Sequence, residues 1–283
     1  MIKRILTAAV LILGIGLGIW LKGIVLRVIL LGCMLLSVDE MYRALMNAGH
    51  KPVRWIGYAF CALAALCQAG SAMLTGSPSG AEYLQRLDPA ALSLTAGVML
   101  AFAVVVLRGK VDFDVLWSTL FPMLYPGLLF TQILALQDLG TPTEATLALI
   151  LAFFIASVND TFALFIGLKF GRHRLSPEIS PKKSVEGAIA GLVSSVLFAM
   201  LVPAIMARAT GATFPPLWAF ALLGLVAGFL SQIGDLAASL VKRHCGIKDF
   251  GTIFPGHGGM LDRFDGILFC GAVTLLFFKI FGM

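Results

Sequence analysis

Three observations predict an all-α fold of membrane-spanning helices. Hydrophobic residues make up 59% of the 283 and charged residues only 13%, where a soluble domain carries about a quarter charged residues, and mean hydropathy is +0.95. The apolar residues gather into runs of bilayer length, and Lys and Arg collect in alternate loops between them. Together these describe a polytopic integral membrane protein of about nine transmembrane helices.

Apolar runs lie near 4–21, 23–38, 54–76, 91–107, 114–137, 143–170, 184–207, 215–243 and 265–282, each able to cross most or all of about 30 Å of hydrocarbon. The first follows Met1 to Arg4 and is expected to be a retained helix. No small-residue cleavage site precedes a polar chain, and a second apolar run comes at once. Only Leu21, Lys22 and Gly23 join those two runs, so a tight hairpin or one partly re-entrant segment is required, and eight spans is the alternative count. Pro122 and Pro126 fall inside the fifth run, where they should kink the helix and leave carbonyls for neighbours to satisfy. Small-residue stretches such as Gly14 to Gly18 let helices approach closely. The expected organisation is therefore 1–140, helices for packing with little chemistry, and 141–283, helices that carry the chemistry.

Assigning Lys and Arg to alternate loops puts sixteen on one side and four (Lys22, Arg86, Arg208, Lys279) on the other, with Arg27 inside a span. The richer side belongs in the cytoplasm. Both charged loops of the C-terminal half then face the cytoplasm, and the C-terminus lies outside. The net charge of +6 is accounted for by this asymmetry and calls for no nucleic-acid partner. Five cysteines without a C-x-x-C pair indicate neither a disulfide framework nor a zinc site.

The chemistry concentrates between Ser239 and Asp265, where nine charged or histidine side chains and a Gly-rich turn separate two apolar runs. Such density at a membrane edge needs partners such as metal ions and phosphates. Ser231, Asp235, Ser239 and Lys242 in the eighth run are spaced by four, four and three, a stripe of roughly 80° at about 100° per residue. Asp262 and Asp265 follow the turn Pro255-Gly256-His257-Gly258-Gly259, whose backbone N–H groups suit an anion, with Lys248 and Arg263 nearby in sequence for phosphate oxygens. Carboxylates without a Cys or His quartet favour hard cations, above all Mg²⁺ held partly by substrate phosphates. This combination points to metal-assisted phosphoryl or nucleotidyl transfer in a cytoplasm-facing polar cavity of the C-terminal half.

Asn159 and Asp160 sit about ten residues, or roughly 15 Å, inside the sixth run. They are candidates for substrate contact, or else a polar pair that knits helices together. The basic loop after them ends in Ser180-Pro-Lys182-Lys183-Ser184-Val-Glu186-Gly187, which resembles a helix cap with lysines able to meet a phosphate. His50, His173 and His244 are expected to be solvated loop residues, while His257 either touches a phosphate or leaving group or shapes the turn.

The segment Ser239–Asp265 resembles the C-terminal motif of the bacterial phosphatidate cytidylyltransferases, also called CDP-diacylglycerol synthases. The pattern S-x-hydrophobic-K-R-x4-K-D-x-small-x2-hydrophobic-P-x-H-G-G-hydrophobic-x-D-R-hydrophobic-D is matched at every specified position over 27 residues. Looser similarity covers about 155–265. The resemblance implies a homodimeric enzyme with nine membrane helices in the bacterial inner membrane. It would join CTP to phosphatidic acid, giving CDP-diacylglycerol and pyrophosphate for phospholipid biosynthesis. It implies Mg²⁺, and leaves room for a second cation.

Carried over residue by residue, Asp235 and Asp262 correspond to the family's metal-binding pair, and Lys248, His257, Arg263 and Asp265 complete the catalytic set. Candidates for substrate binding are Asn159, Asp160, Lys182, Lys183, Ser184, Ser239, Lys242, Arg243, Asp249, Gly258 and Gly259. Departures fall around the sixth run. Relatives commonly read A-N-D-S-G-A-Y where this chain has Val158 to Leu164, so Phe162 replaces a small residue and Leu164 a tyrosine, and Ser184 replaces a threonine. The rival readings are a CTP-dependent lipid kinase or another CDP-lipid synthase, and an ion-coupled transporter using Asp160 and Asp235. The transporter would call for broken helices in two repeated halves, which the sequence does not display.

Overall fold

The computed structural model describes residues 16, 23–74, 88–109, 111–254 and 258–282. The first predicted run, the Gly14 to Gly18 stretch apart from Gly16, and the 255–257 portion of the turn lie outside them. Eight helices follow in order: α1 (Gly23–Asn47), α2 (Arg54–Leu74), α3 (Pro89–Leu107), α4 (Phe113–Asp138), α5 (Pro142–Phe170), α6 (Val185–Thr210), α7 (Leu217–His244) and α8 (Leu261–Ile280). Each predicted run from the second to the ninth coincides with one of them. Five, α3 to α7, are long and apolar enough to cross a membrane. The fold is nearly all-α. Among the described residues the strands form one two-stranded antiparallel hairpin, β1 (Arg174–Ser176) and β2 (Ser180–Ser184), in what the sequence presents as a basic loop.

Helix boundaries follow local chemistry. Asp112 caps α4 by accepting from the Val115 N–H at 3.1 Å. Thr141 and Glu144 form a reciprocal capping box at α5, with Pro142 at its first position. Ser184 starts α6 as the sequence predicts, its hydroxyl accepting from the Gly187 N–H at 3.2 Å, and α6 ends at Gly211 in the left-handed region (φ 69°). The kink expected from Pro122 and Pro126 occurs. Regular helix stops at Pro122, a wide turn runs over Met123–Leu128 with Tyr125 extended (φ −135°, ψ 113°), and helix resumes at Leu129.

The chain forms two compact units, residues 1–138 with 244–262, and residues 139–243 with 263–283. The loop 244–262 thus groups with the N-terminal helices. In that unit α1 buries Leu26, Leu30, Met34, Val38, Met41 and Leu45 along one stripe. Tyr42 is fully buried and its hydroxyl donates to the Thr119 carbonyl at 2.8 Å. Arg27, set inside the apolar run, is paired with Asp138 and donates to the Gln68 carbonyl.

The second unit is knit by polar contacts around Asn159, which has no exposed surface. Its amide donates to Ser195 Oγ at 3.0 Å and to the Gly228 carbonyl at 2.9 Å, while its Oδ1 accepts from Gln232 Nε2 at 3.0 Å. One side chain thereby ties α5 to both α6 and α7. Gly228 permits this approach, since a Cβ there would lie 2.7 Å from Ser195 Oγ and 3.0 Å from Asn159 Nδ2.

Candidate functional site

In the first unit, the motif loop is held by two carboxylates. Asp262 is buried, and its Oδ2 accepts from the N–H groups of Phe250 at 2.8 Å and Gly259 at 2.9 Å. Glu40 of α1, also buried, accepts from Met260 N–H through Oε1 at 2.9 Å and from Leu261 N–H through Oε2 at 2.8 Å. Three consecutive amides at the start of α8, where helices leave N–H groups unpaired, are thus satisfied by the protein's own acids. The Gly259 N–H, expected from sequence to suit an anion, has Asp262 as its acceptor here. Gly258 adopts φ +84°, and a Cβ there would lie 2.5 Å from Asp262 Oδ2, so glycine is required both by conformation and by space. Lys248 and Asp249 of the loop are exposed. His257 falls outside the described residues.

Glu40 is the functional residue that the sequence reading missed. It lies in the half of the chain expected to carry little chemistry. A signal was present, because position 40 falls on the buried stripe of α1, three residues after Ser37 and four before Ala44, both buried. An acid on an apolar stripe demands a partner.

The second unit carries the other cluster. Lys183 of β2 pairs with Asp235 of α7 at 2.5 Å, each side chain 25% exposed and therefore open to a ligand. Asp160 of α5 is exposed and lies within electrostatic reach of Asp235, Lys183 and Arg263. Asp265 is buried and within reach of Asp235, Asp160 and Lys242. Arg263 keeps its Nε buried with no hydrogen-bond partner among the described residues, a donor facing inward without an acceptor. Three carboxylates and three cations from α5, β2, α7 and α8 thus gather in one unit.

Among the described residues no three acidic, His or Cys side chains converge as a ready metal cage. The donor set still fits Mg²⁺, which is usually held by one or two carboxylates with substrate phosphates and water completing an octahedron. Asp235 and Asp262, the metal pair read from sequence, belong to different units.

The remaining predicted residues take varied places. Asn159 spends its hydrogen bonds on helix packing, which answers to the polar-pair alternative. Ser184 spends its hydroxyl on the α6 cap. Ser239 and Lys242 are buried, and Lys182 and Arg243 are exposed. Of the histidines expected to be solvated, His173 and His244 are exposed and His50 is half-buried, and each also has a neighbour. His50 Nδ1 lies 2.6 Å from Asp114 Oδ1, its ring stacks on His244, and His173 pairs with Glu186 at 2.7 Å. Asp114 and Glu186 lie in the first turns of α4 and α6, so His50 and His173 each meet an acid supplied by a helix start.

The fold and the two clusters define a class: a helical protein with bilayer-length helices and a set of carboxylates and cations suited to phosphate and hard-cation chemistry. The chain belongs to the cytidylyltransferase family, whose profile matches residues 2–281. It is 42% identical over 123 residues to the phosphatidate cytidylyltransferase of Thermotoga maritima, covering 44% of this chain and 46% of that one. A protein of Arabidopsis thaliana named phosphatidate cytidylyltransferase 5, chloroplastic, is 30% identical over 304 positions, covering 95% of this chain and 71% of the other. A Staphylococcus haemolyticus phosphatidate cytidylyltransferase is 31% identical over 191 residues, covering 68% of this chain and 69% of its own. The alignments to the Thermotoga maritima protein and to a Staphylococcus saprophyticus phosphatidate cytidylyltransferase span about half of those proteins' length.

Proposed function

We propose that this chain is a phosphatidate cytidylyltransferase, converting CTP and phosphatidic acid to CDP-diacylglycerol and pyrophosphate. The observation that carries this is the motif Ser239–Asp265, complete at every specified position in a chain of the cytidylyltransferase family. An oxygen of the phosphatidate phosphate attacks the α-phosphorus of CTP in line. A new P–O–P linkage forms, the bond from the α-phosphorus to the α,β-bridging oxygen breaks, and pyrophosphate leaves with that electron pair. Positioning and electrostatics supply most of the rate in such a transfer.

In this reading Lys248 and Arg263 meet the triphosphate, and Lys182 and Lys183 hold the lipid phosphate. The orphaned Nε of Arg263 and the reachable Lys183–Asp235 pair support those roles. The metal ligands are Asp235 and Asp262, and bound Mg²⁺ would supply charge neutralisation at the phosphates and orientation of the departing pyrophosphate. Asp160 and Asp265 add negative charge that a second cation could share. Nine spans, a cytoplasmic site in a bacterial inner membrane and a homodimer complete the proposal, the orientation resting on the charge asymmetry of the loops.

The test is to incubate the purified protein with labelled CTP, phosphatidic acid and Mg²⁺ and to follow lipid label and pyrophosphate together. Equimolar appearance of both is expected. Release of CDP with phosphorylated lipid would make the chain a kinase, and no turnover on any lipid phosphate would overturn the proposal.

A further inference from the structure

The Glu40 carboxylate is buried, which costs several kcal/mol unless hydrogen bonds and charges compensate. Helix capping alone does not require that cost, since a Ser, Thr or Asp next to the helix would serve locally, as Ser184 does for α6. Here the acceptor comes from α1, some 220 residues away in sequence. Its two oxygens take one amide each, from Met260 and Leu261. Two glycines of the loop accommodate it. A Cβ on Gly259 would lie 2.5 Å from Glu40 Oε2, and one on Gly251 would lie 3.0 Å from Glu40 Cδ.

Asp262 binds the same short segment from the other side, through Gly259 N–H, and reaches back to Phe250 N–H. The loop ends at 250 and 259 are joined by Asp262, and the following two residues are pinned to α1 by Glu40. Without the second clamp, Asp262 would hold the loop to itself while the whole assembly could shift against α1.

We infer that Glu40 is a positioning residue that anchors the motif loop to α1 through the Met260 and Leu261 amides, so setting where Asp262, Lys248 and Asp249 are presented. It acts through backbone and touches no substrate. The assignment rests on the proposed cytidylyl transfer for its activity readout, and on amide exchange for its structural one.

The variant E40Q keeps the size of the side chain but offers one acceptor oxygen where two are needed. In detergent-purified full-length protein, hydrogen–deuterium exchange of the peptide covering 258–262 should quicken at least tenfold. Turnover should fall at least tenfold in kcat, with KM for phosphatidic acid and CTP within threefold of wild type. Faster exchange with unchanged kcat would overturn the positioning role, and unchanged exchange would show that Glu40 does not hold these amides. If wild-type protein forms no CDP-diacylglycerol, the functional proposal fails while the exchange arm still decides the clamp. Should E40Q fail to fold, G251A presses on the same carboxylate without removing it and should move both readouts in the same direction.

Discussion

Replacing Asn159 with Ala separates two roles that the sequence leaves open. The side chain is fully buried and makes three hydrogen bonds, to Ser195, Gly228 and Gln232. Two of the partners keep other contacts, because Ser195 Oγ also donates to the Gly191 carbonyl and Gln232 Nε2 to that of Ala188. The loss is therefore mainly the bonds themselves. Interhelical hydrogen bonds in membranes average about 0.6 kcal/mol, and buried ones in soluble proteins about 1 kcal/mol, so three are worth about 2–3 kcal/mol. Denaturant or SDS unfolding in bicelles should register that loss in N159A. N159D should lose more, since it sets a carboxylate against two oxygens that now accept. Turnover well below the unfolding transition should stay within threefold of wild type for N159A. Unchanged stability combined with a hundredfold loss of kcat/KM would refute the packing role and return Asn159 to the substrate site.

Further predictions address the charged residues and the loop. D235N and D262N should each abolish Mg²⁺-dependent formation of CDP-diacylglycerol while membrane insertion and unfolding remain near wild type, and near-normal turnover in either would remove that carboxylate from the metal site. In D262N the side-chain carbonyl oxygen can take the place of Oδ2, so exchange of the Phe250 and Gly259 amides should stay near wild type while the charge is lost. G258A forces a left-handed backbone that costs about 1–2 kcal/mol and pushes on Asp262 Oδ2, so kcat should fall without loss of folding; wild-type kcat would contradict the tight fit. Leu164 is 58% exposed on α5, and L164Y should shift KM more than kcat, whereas equal losses in both would argue against a role confined to substrate binding.

The helices were largely legible in the sequence because their boundaries depend on local chemistry. Apolar run length, the Thr141–Glu144 box, the Ser184 cap and the Pro122/Pro126 break act within a few residues of where they are written. The hairpin at Arg174–Ser184 was less legible, since its pairing satisfies backbone groups in a short polar segment with no strand-like alternation. The candidate site was legible as residue types and only partly as partnerships. Asp262, Gly258 and Gly259 could be singled out from the motif. That their groups serve one another, with the Gly259 amide closed by Asp262 and the Cβ of residue 258 excluded by that same acid, depends on how the loop folds back.

Glu40 shows the limit most clearly. Sequence alone determined a membrane protein of nearly all-α structure and the stretch of chain where carboxylates, cations and a Gly-rich turn concentrate, because composition and motif spacing report local propensities and residue chemistry. Only the tertiary structure decided that Glu40 of α1 closes the amides at the start of α8, that Lys183 neutralises Asp235, and that Asn159 serves as a tie between helices. Each of these joins residues dozens to hundreds of positions apart. Such pairs form only when helices pack, and a buried polar group takes whichever partner that packing brings within about 3 Å.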